Sequence, residues 1–263
     1  MDLTGRTVVV TGASMGIGEA IAEAFAGRGA VVVAAARSAG RLEALAARSG
    51  GRIVPVVADV VSDGDVRRLA EASLARAGRV DVVVNNAGIG LYGPVDALDL
   101  DAWRRCLEVN LLGPVRVLQA FLPGMKAAGA GTIVQISSVL GDFSIPFSGG
   151  YAATKHALDA ITDSLRLEVA PFGIRVVNVR PGSTATDFRT NALGTPDVGR
   201  IRVARVPAAL VAERVVRAVE RRSRDVYSTW RDRAMCRLAM RWPRLMDRIL
   251  TRAYRIARSA QTG

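Results

Sequence analysis

Half of the 263 residues are hydrophobic, enough for one large core and incompatible with a disordered chain. No run reaches the ~18 uninterrupted apolar residues of a membrane-spanning helix, a strand pattern starts at Val8 with no room expected for a cleavable leader, and one histidine with two distant cysteines, Cys106 and Cys236, offers no zinc-ligand spacing. The net charge of +12 is uneven: residues 221–263 hold 12 Arg and 3 Asp, or +9, which leaves +3 for residues 1–220.

The unpaired cysteine spacing fits a reducing, cytoplasmic compartment. Only two lysines stand against 34 arginines, amid heavy Ala, Gly and Val usage. That bias looks like a GC-rich codon set, so the basic isoelectric point is weak grounds for nucleic-acid binding.

In chain order, continuous β-branched runs alternate with amphipathic stretches. Strands are predicted at residues 7–11, 30–35, 53–58, 80–84, 132–136 and 174–179, with a short seventh at 225–228. Helices are predicted at 17–28, 41–48, 65–77, 102–126, 151–170 and 208–222. Apolar runs without alternation suit strands covered on both faces. The β-α alternation predicts an α/β fold, a doubly wound parallel sheet of about seven strands with helices on both faces, the Rossmann arrangement.

The character changes after residue 229. Trp230, Ala234, Met235, Leu238 and Trp242 recur at helical spacing, and Pro243 can open a second helix with Leu245, Met246, Ile249, Leu250 and Ala253 on one face. The organisation expected is thus a catalytic domain over residues 1–229 and a basic amphipathic extension over 230–263.

The first strand runs into Thr11-Gly12-Ala13-Ser14-Met15-Gly16-Ile17-Gly18 and then a helix. Glycines there permit a tight turn and bring a pyrophosphate to free N–H groups at the helix N-terminus. The spacing is G-x-x-x-G-x-G. The second strand ends at Ala36-Arg37. An acid at that point would bind the ribose 2′-hydroxyl of NAD and repel a 2′-phosphate, whereas arginine attracts the phosphate. Arg37 therefore points to NADP(H); a solvated arginine capping the loop is the plainer alternative.

Lys155 follows Tyr151 by four residues within a helical pattern, so the two share a face. A lysine kept in so arginine-rich a chain suggests a need for a compact ammonium. A free tyrosine titrates near ~10, and a neighbouring ammonium should lower that value. The bland alternative is a chance pair.

With the loop and this pair together, the chain resembles the short-chain dehydrogenase/reductase family over about residues 4–229. Asp59-Val60 resembles its adenine-contacting pair, and Asn85-Asn86-Ala87-Gly88 its N-N-A-G element. Asn110 falls where the family carries a catalytic asparagine, and Ser138 lies 13 residues before Tyr151. Pro181-Gly182, Thr184 and Thr186 match positions that approach the nicotinamide. Met15 departs from the basic residue of many NADP-dependent members, which leaves Arg37 as the main phosphate ligand.

The resemblance implies hydride transfer between NADP(H) and a carbonyl or secondary alcohol. Tyr151 would be the general acid/base, Ser138 would orient the substrate oxygen, Lys155 would also hold the nicotinamide ribose, and Asn110 would support a water relay. The cofactor would be held by Gly12, Ser14, Met15, Gly16, Ile17, Gly18, Arg37, Asp59, Val60, Asn86, Ala87, Gly88, Tyr151, Lys155, Pro181, Gly182, Thr184 and Thr186. A catalytically silent NADP-binding regulatory or scaffold protein is the alternative.

Leu91, Tyr92, Leu140, Phe143, Ile145, Phe147, Phe188 and Leu193 are expected near the substrate. They are mostly apolar with no evident carboxylate site, so a hydrophobic, steroid-, retinoid- or lipid-like substrate is expected. The family resemblance implies a homodimer or homotetramer. The extension has three readings: a cover for the domain or a neighbouring subunit, a peripheral contact with an anionic membrane, or, last, a nucleic-acid contact.

Overall fold

The computed structural model describes residues 1–195 and 204–262, the last seven of these by backbone alone. Seven strands form one parallel sheet: β1 (Thr7–Thr11), β2 (Val31–Ala36), β3 (Ile53–Val57), β4 (Val82–Asn85), β5 (Gly131–Ile136), β6 (Ile174–Arg180) and β7 (Asp225–Tyr227). Their order is β7-β6-β5-β4-β1-β2-β3. The order reverses between β1 and β4, and ligands of such sheets bind in the crevice beyond the strand C-termini at that point. Pro55 is tolerated because β3 is an edge strand.

Successive residues of β1 serve opposite faces, as the two-residue strand period requires. Val8 and Val10 pack with Ile21, Phe25 and Val215, under helices α1 (Gly16–Gly27) and α7 (Ala208–Arg221). Val9 packs with Leu69, Val117 and Leu165, under the opposite layer. That layer comprises α3 (Asp63–Ala77), α5 (Gly113–Ala128) and α6 (Gly149–Val169). The short α2 (Ala39–Ala47) joins the first face through Leu42 and Leu45.

The single helix predicted over 102–126 is interrupted. Helix α4 (Leu100–Leu107) passes through a π turn at Glu108–Leu112 into α5. The N–H of Gly113 reaches the carbonyl of Glu108, five residues back. Pro114 explains the break in the ladder: it has no N–H to give the carbonyl of Asn110, four residues earlier. Asn110 thus sits at the wide point of the helix.

The extension forms two helices, α8 (Trp230–Arg241) and α9 (Pro243–Thr262). Thr229 and Asp232 close a capping box at the start of α8. Cys236 and Ala239 bury the inner side of α8, and Met246 does so for α9. The hydroxyl of Tyr254 donates to the carbonyl of Pro146 at 3.0 Å, and its ring packs against Phe147 at 5.7 Å. The two C-terminal helices therefore pack against the loop that carries Pro146 and Phe147. No helix among the described residues is long and apolar enough to cross a membrane.

Candidate active site

The loop after β1 is shaped for close approach. Gly12 and Gly16 adopt φ of +65° and +61°, which favour glycine. A Cβ on Gly18 would fall 2.2 Å from the carbonyl oxygen of Gly12 and 2.3 Å from Nδ2 of Asn86. Asn86 braces the loop: its Nδ2 donates to the carbonyls of Thr11 and Gly12 at 2.9 and 3.2 Å. Thr11, not foreseen as a site residue, accepts from the N–H groups of Asn86 and Ala87 on its Oγ1. The glycine cradle and the helix N-terminus beside it fit a dinucleotide pyrophosphate.

Beyond β2, Arg37 lines the same cavity, joined by Arg41. Arg41 went unremarked in the sequence, although it lies about one helical turn after Arg37. Its Nη1 approaches the sulfur of Met15 at 3.4 Å, so the non-basic Met15 is flanked by a cation after all. Asp59 accepts from the N–H of Val61 and lies 3.4 Å from Arg105, which holds its carboxylate at the rim.

All the predicted cofactor-binding residues, together with Ser138, Tyr151 and Lys155, line one cavity of about 1370 Å³. Asn110 does not line it. It is fully buried one layer behind, where its Oδ1 accepts from the N–H of Ile89 at 2.8 Å and its Nδ2 donates to the carbonyl of Ile89 at 2.9 Å. The side chain thus clamps the strand end that carries Gly88. A Cβ on Gly88 would meet Asn110 Oδ1 at 3.3 Å and Lys155 Nζ at 3.7 Å.

The electrostatics differ from expectation. Burial raises the phenol of Tyr151 well above its ordinary value, and only the hydroxyl of Ser138 pulls the other way. The Lys155 ammonium lies 5.8 Å from the ring centroid and donates to the carbonyl of Ile136 at 2.9 Å rather than to the phenol. Lys155 itself is only 4 % exposed, and burial lowers its pKa to about 8. The reason is desolvation: both groups are removed from water, which penalises each charged form.

Behind the reacting face stands a charged anchor that sequence reading missed. Arg180, at the end of β6, meets Asp142 at 3.1 Å, Asp159 at 3.0 Å and Asp225 at 2.7 Å. Asp159 lies two turns after Tyr151 on α6, and Asp142 follows the Ser138 turn. One guanidinium therefore joins the elements that carry both hydroxyls. No local pattern could reveal this, since the carboxylates are dispersed along the chain.

The substrate side is walled by Tyr92, Leu140, Phe143, Ile145, Phe188 and Leu193, as expected. Two expectations fail. Leu91 is a core residue, 1 % exposed and packed with Cys106 and Tyr151; in the strand it points away from Tyr92. Phe147 faces Tyr254 rather than the cavity. Met235, Leu250, Ala253 and Tyr254 of the extension add further wall, and Arg189 and Arg205 bring positive charge that the sequence reading did not anticipate.

Comparisons with known proteins agree with this architecture. The family model described as short chain dehydrogenase matches residues 6–196. A dehydrogenase/reductase SDR family protein 7-like from Anopheles gambiae is 37% identical over 237 residues, covering 85% of this chain and 75% of its own. An alcohol dehydrogenase from Thermococcus sibiricus, complexed with 5-hydroxy-NADP, is 34% identical with a TM-score of 0.74, covering 84% of this chain and 95% of its own. A short chain dehydrogenase/reductase from Burkholderia phymatum, in complex with NAD, superimposes with a TM-score of 0.85 at 26% identity, over 94% of this chain and 96% of its own. The chain belongs to the short-chain dehydrogenase/reductase family, and is accordingly an oxidoreductase acting on alcohol or ketone groups.

Proposed function

We propose that the protein interconverts a hydrophobic ketone and its secondary alcohol with NADP(H), using Tyr151 as general acid/base. The observation that carries this reading is the convergence of Ser138, Tyr151 and Lys155 on the cavity that also holds the glycine cradle. The bound dinucleotide supplies or accepts the hydride. In reduction, Tyr151 donates its proton to the carbonyl oxygen; in oxidation, its phenolate removes the hydroxyl proton. Ser138 orients that oxygen. Its hydroxyl already opposes the effect of burial on Tyr151. Lys155 supplies the cationic field for the phenolate, and Asn110 positions the Gly88–Ile89 backbone beside it.

Arg37 and Arg41 support NADP(H), since two cations flank the place where a 2′-phosphate would lie. The neighbours' own complexes include both an NADP derivative and NAD. Exposed Leu112 in the π turn and Ile161 and Leu167 on α6 support a homodimer or homotetramer. Two buried free cysteines suit the cytoplasm.

The Tyr151→Phe variant should lose carbonyl reduction, followed by NADPH absorbance, while NADPH still binds. Undiminished turnover would remove Tyr151 from the mechanism. A wild-type protein that binds NADPH yet reduces no hydrophobic ketone would favour the silent scaffold.

A peripheral membrane contact is supported by Trp230 and Trp242, 75 % and 54 % exposed among the arginines of the extension. The protein should then sediment with anionic liposomes at low salt, and Trp230→Ala with Trp242→Ala should weaken the association. Equal recovery without liposomes would end that reading.

A further inference from the structure

Arg189 stands among the apolar side chains Tyr92, Leu140, Phe143, Ile145 and Phe188 that line the cavity. The guanidinium of Arg189 lies over the ring of Tyr92, 4.2 Å from its centroid. Its Nε is buried and has no hydrogen-bond partner among the described residues. Arg205 lines the same cavity, and among the described residues no carboxylate pairs with either arginine. Stacking on Tyr92 fixes where the guanidinium rests. Arg189 is half-buried against that ring and Arg205 is exposed at the rim, so the charged fork of Arg189 is open to a ligand, and its geometry matches carboxylate and phosphate.

Tyr92 connects this cation to the reaction centre. Burial raises its phenol, against which both Arg189 and Arg205 act, and Tyr92 in turn is felt by Tyr151. The Met15 sulfur contacts Nη1 of Arg41 at 3.4 Å and Nδ2 of Asn191 at 3.8 Å.

We propose that the substrate is an apolar carbonyl compound or alcohol bearing an anionic group, carboxylate or phosphate, and that Arg189 binds that group while Tyr151 addresses the carbonyl. Arg205 assists at the rim. This deepens the oxidoreductase reading of the same site and rests on it. It also replaces the expectation of a site with no place for an acid.

The test is a calorimetric titration of the NADP-loaded protein with octanoate, octyl phosphate and 1-octanol. At least one anion should bind the wild type about tenfold more tightly than the alcohol, the worth of one charge-assisted hydrogen bond. Arg189→Gln should erase that preference without changing octanol or NADPH affinity, and Arg189→Lys should restore part of it. The tighter anion identifies the head group. Equal binding of all three probes by the wild type overturns the proposal, whether or not a variant folds. So does a parallel loss of octanol binding in Arg189→Gln, which would make the residue mere wall, or a loss of NADPH affinity, which would assign it to the cofactor. The titration needs no turnover. A Tyr151→Phe enzyme that still reduces ketones would sink the reaction assignment and leave the anion preference standing.

Discussion

Replacing Lys155 with methionine should separate catalysis from stability. Lys155 is 4 % exposed, and its only hydrogen bond among the described residues runs from the ammonium to the carbonyl of Ile136 at 2.9 Å. Burial lowers its pKa from 10.5 to about 8. Below pH 8 both the folded and the unfolded lysine are charged, so the folded state carries the whole desolvation cost, roughly 3 kcal/mol. Methionine removes that cost and forfeits a charged hydrogen bond of about 1.5–3 kcal/mol. At pH 7 the Lys155→Met protein should therefore be as stable as the wild type or up to roughly 2 kcal/mol more stable.

The pH dependence is the sharper test. Between about pH 8 and 10.5 the unfolded lysine holds its proton while the folded one has released it, so wild-type stability rises with pH across this window. Any advantage of Lys155→Met should shrink over the same range, by roughly 3 kcal/mol at completion. Urea unfolding of both proteins at pH 7, 8.5 and 10 reads the difference, in which groups common to both cancel. Turnover of the variant should fall steeply throughout, since the cationic field beside Tyr151 is gone. A stability difference that stays flat from pH 7 to 10, or a variant with undiminished turnover, would refute the reasoning.

Two further substitutions probe the cofactor side. Gly18→Ala would place a methyl 2.2 Å from the carbonyl of Gly12, and backbone cannot yield as a side chain can; a stability loss of about 1–3 kcal/mol and a large loss of dinucleotide affinity should appear in thermal melts with and without NADPH. Replacing Arg37 and Arg41 together by alanine should weaken NADPH binding by at least tenfold, about 1.4 kcal/mol, and leave NADH binding unchanged, as measured by fluorescence titration. Equal weakening of both cofactors would show that the two arginines do not read the 2′-phosphate.

Much of the fold was legible in the chain because its signals are local. Continuous Val runs such as Val8–Val10 mark strands buried on both faces, and the alternation with helical periods dictates a parallel sheet. The glycine loop could be read because tight turning and close approach impose themselves within a few residues. Tyr151 and Lys155 could be paired because four residues of helix place them on one side. Where local reading failed, a competing constraint had intervened. Pro114 removed one donor from an otherwise regular helical pattern and produced the π turn at Asn110.

The remaining features depend on groups that only the folded chain brings together. Arg180 collects Asp142, Asp159 and Asp225 from three elements. Tyr254 closes over Pro146 from the far end of the chain, turning an apparent appendage into a wall of the cavity. Arg189 reaches Tyr92 across a hundred residues and gives that wall its charge. Burial, too, is a property of the assembled core: the spacing of Tyr151 and Lys155 placed two titratable groups side by side, but desolvation decided that the phenol is raised and the lysine lowered. The sequence by itself determined the sheet, the glycine loop and the pairing of Tyr151 with Lys155 on one helix face, because each is written in short-range spacing. Tertiary structure decided their burial, their anchoring and the lining of the cavity they face, because those follow from what lies within a few ångströms in space rather than a few positions in the chain.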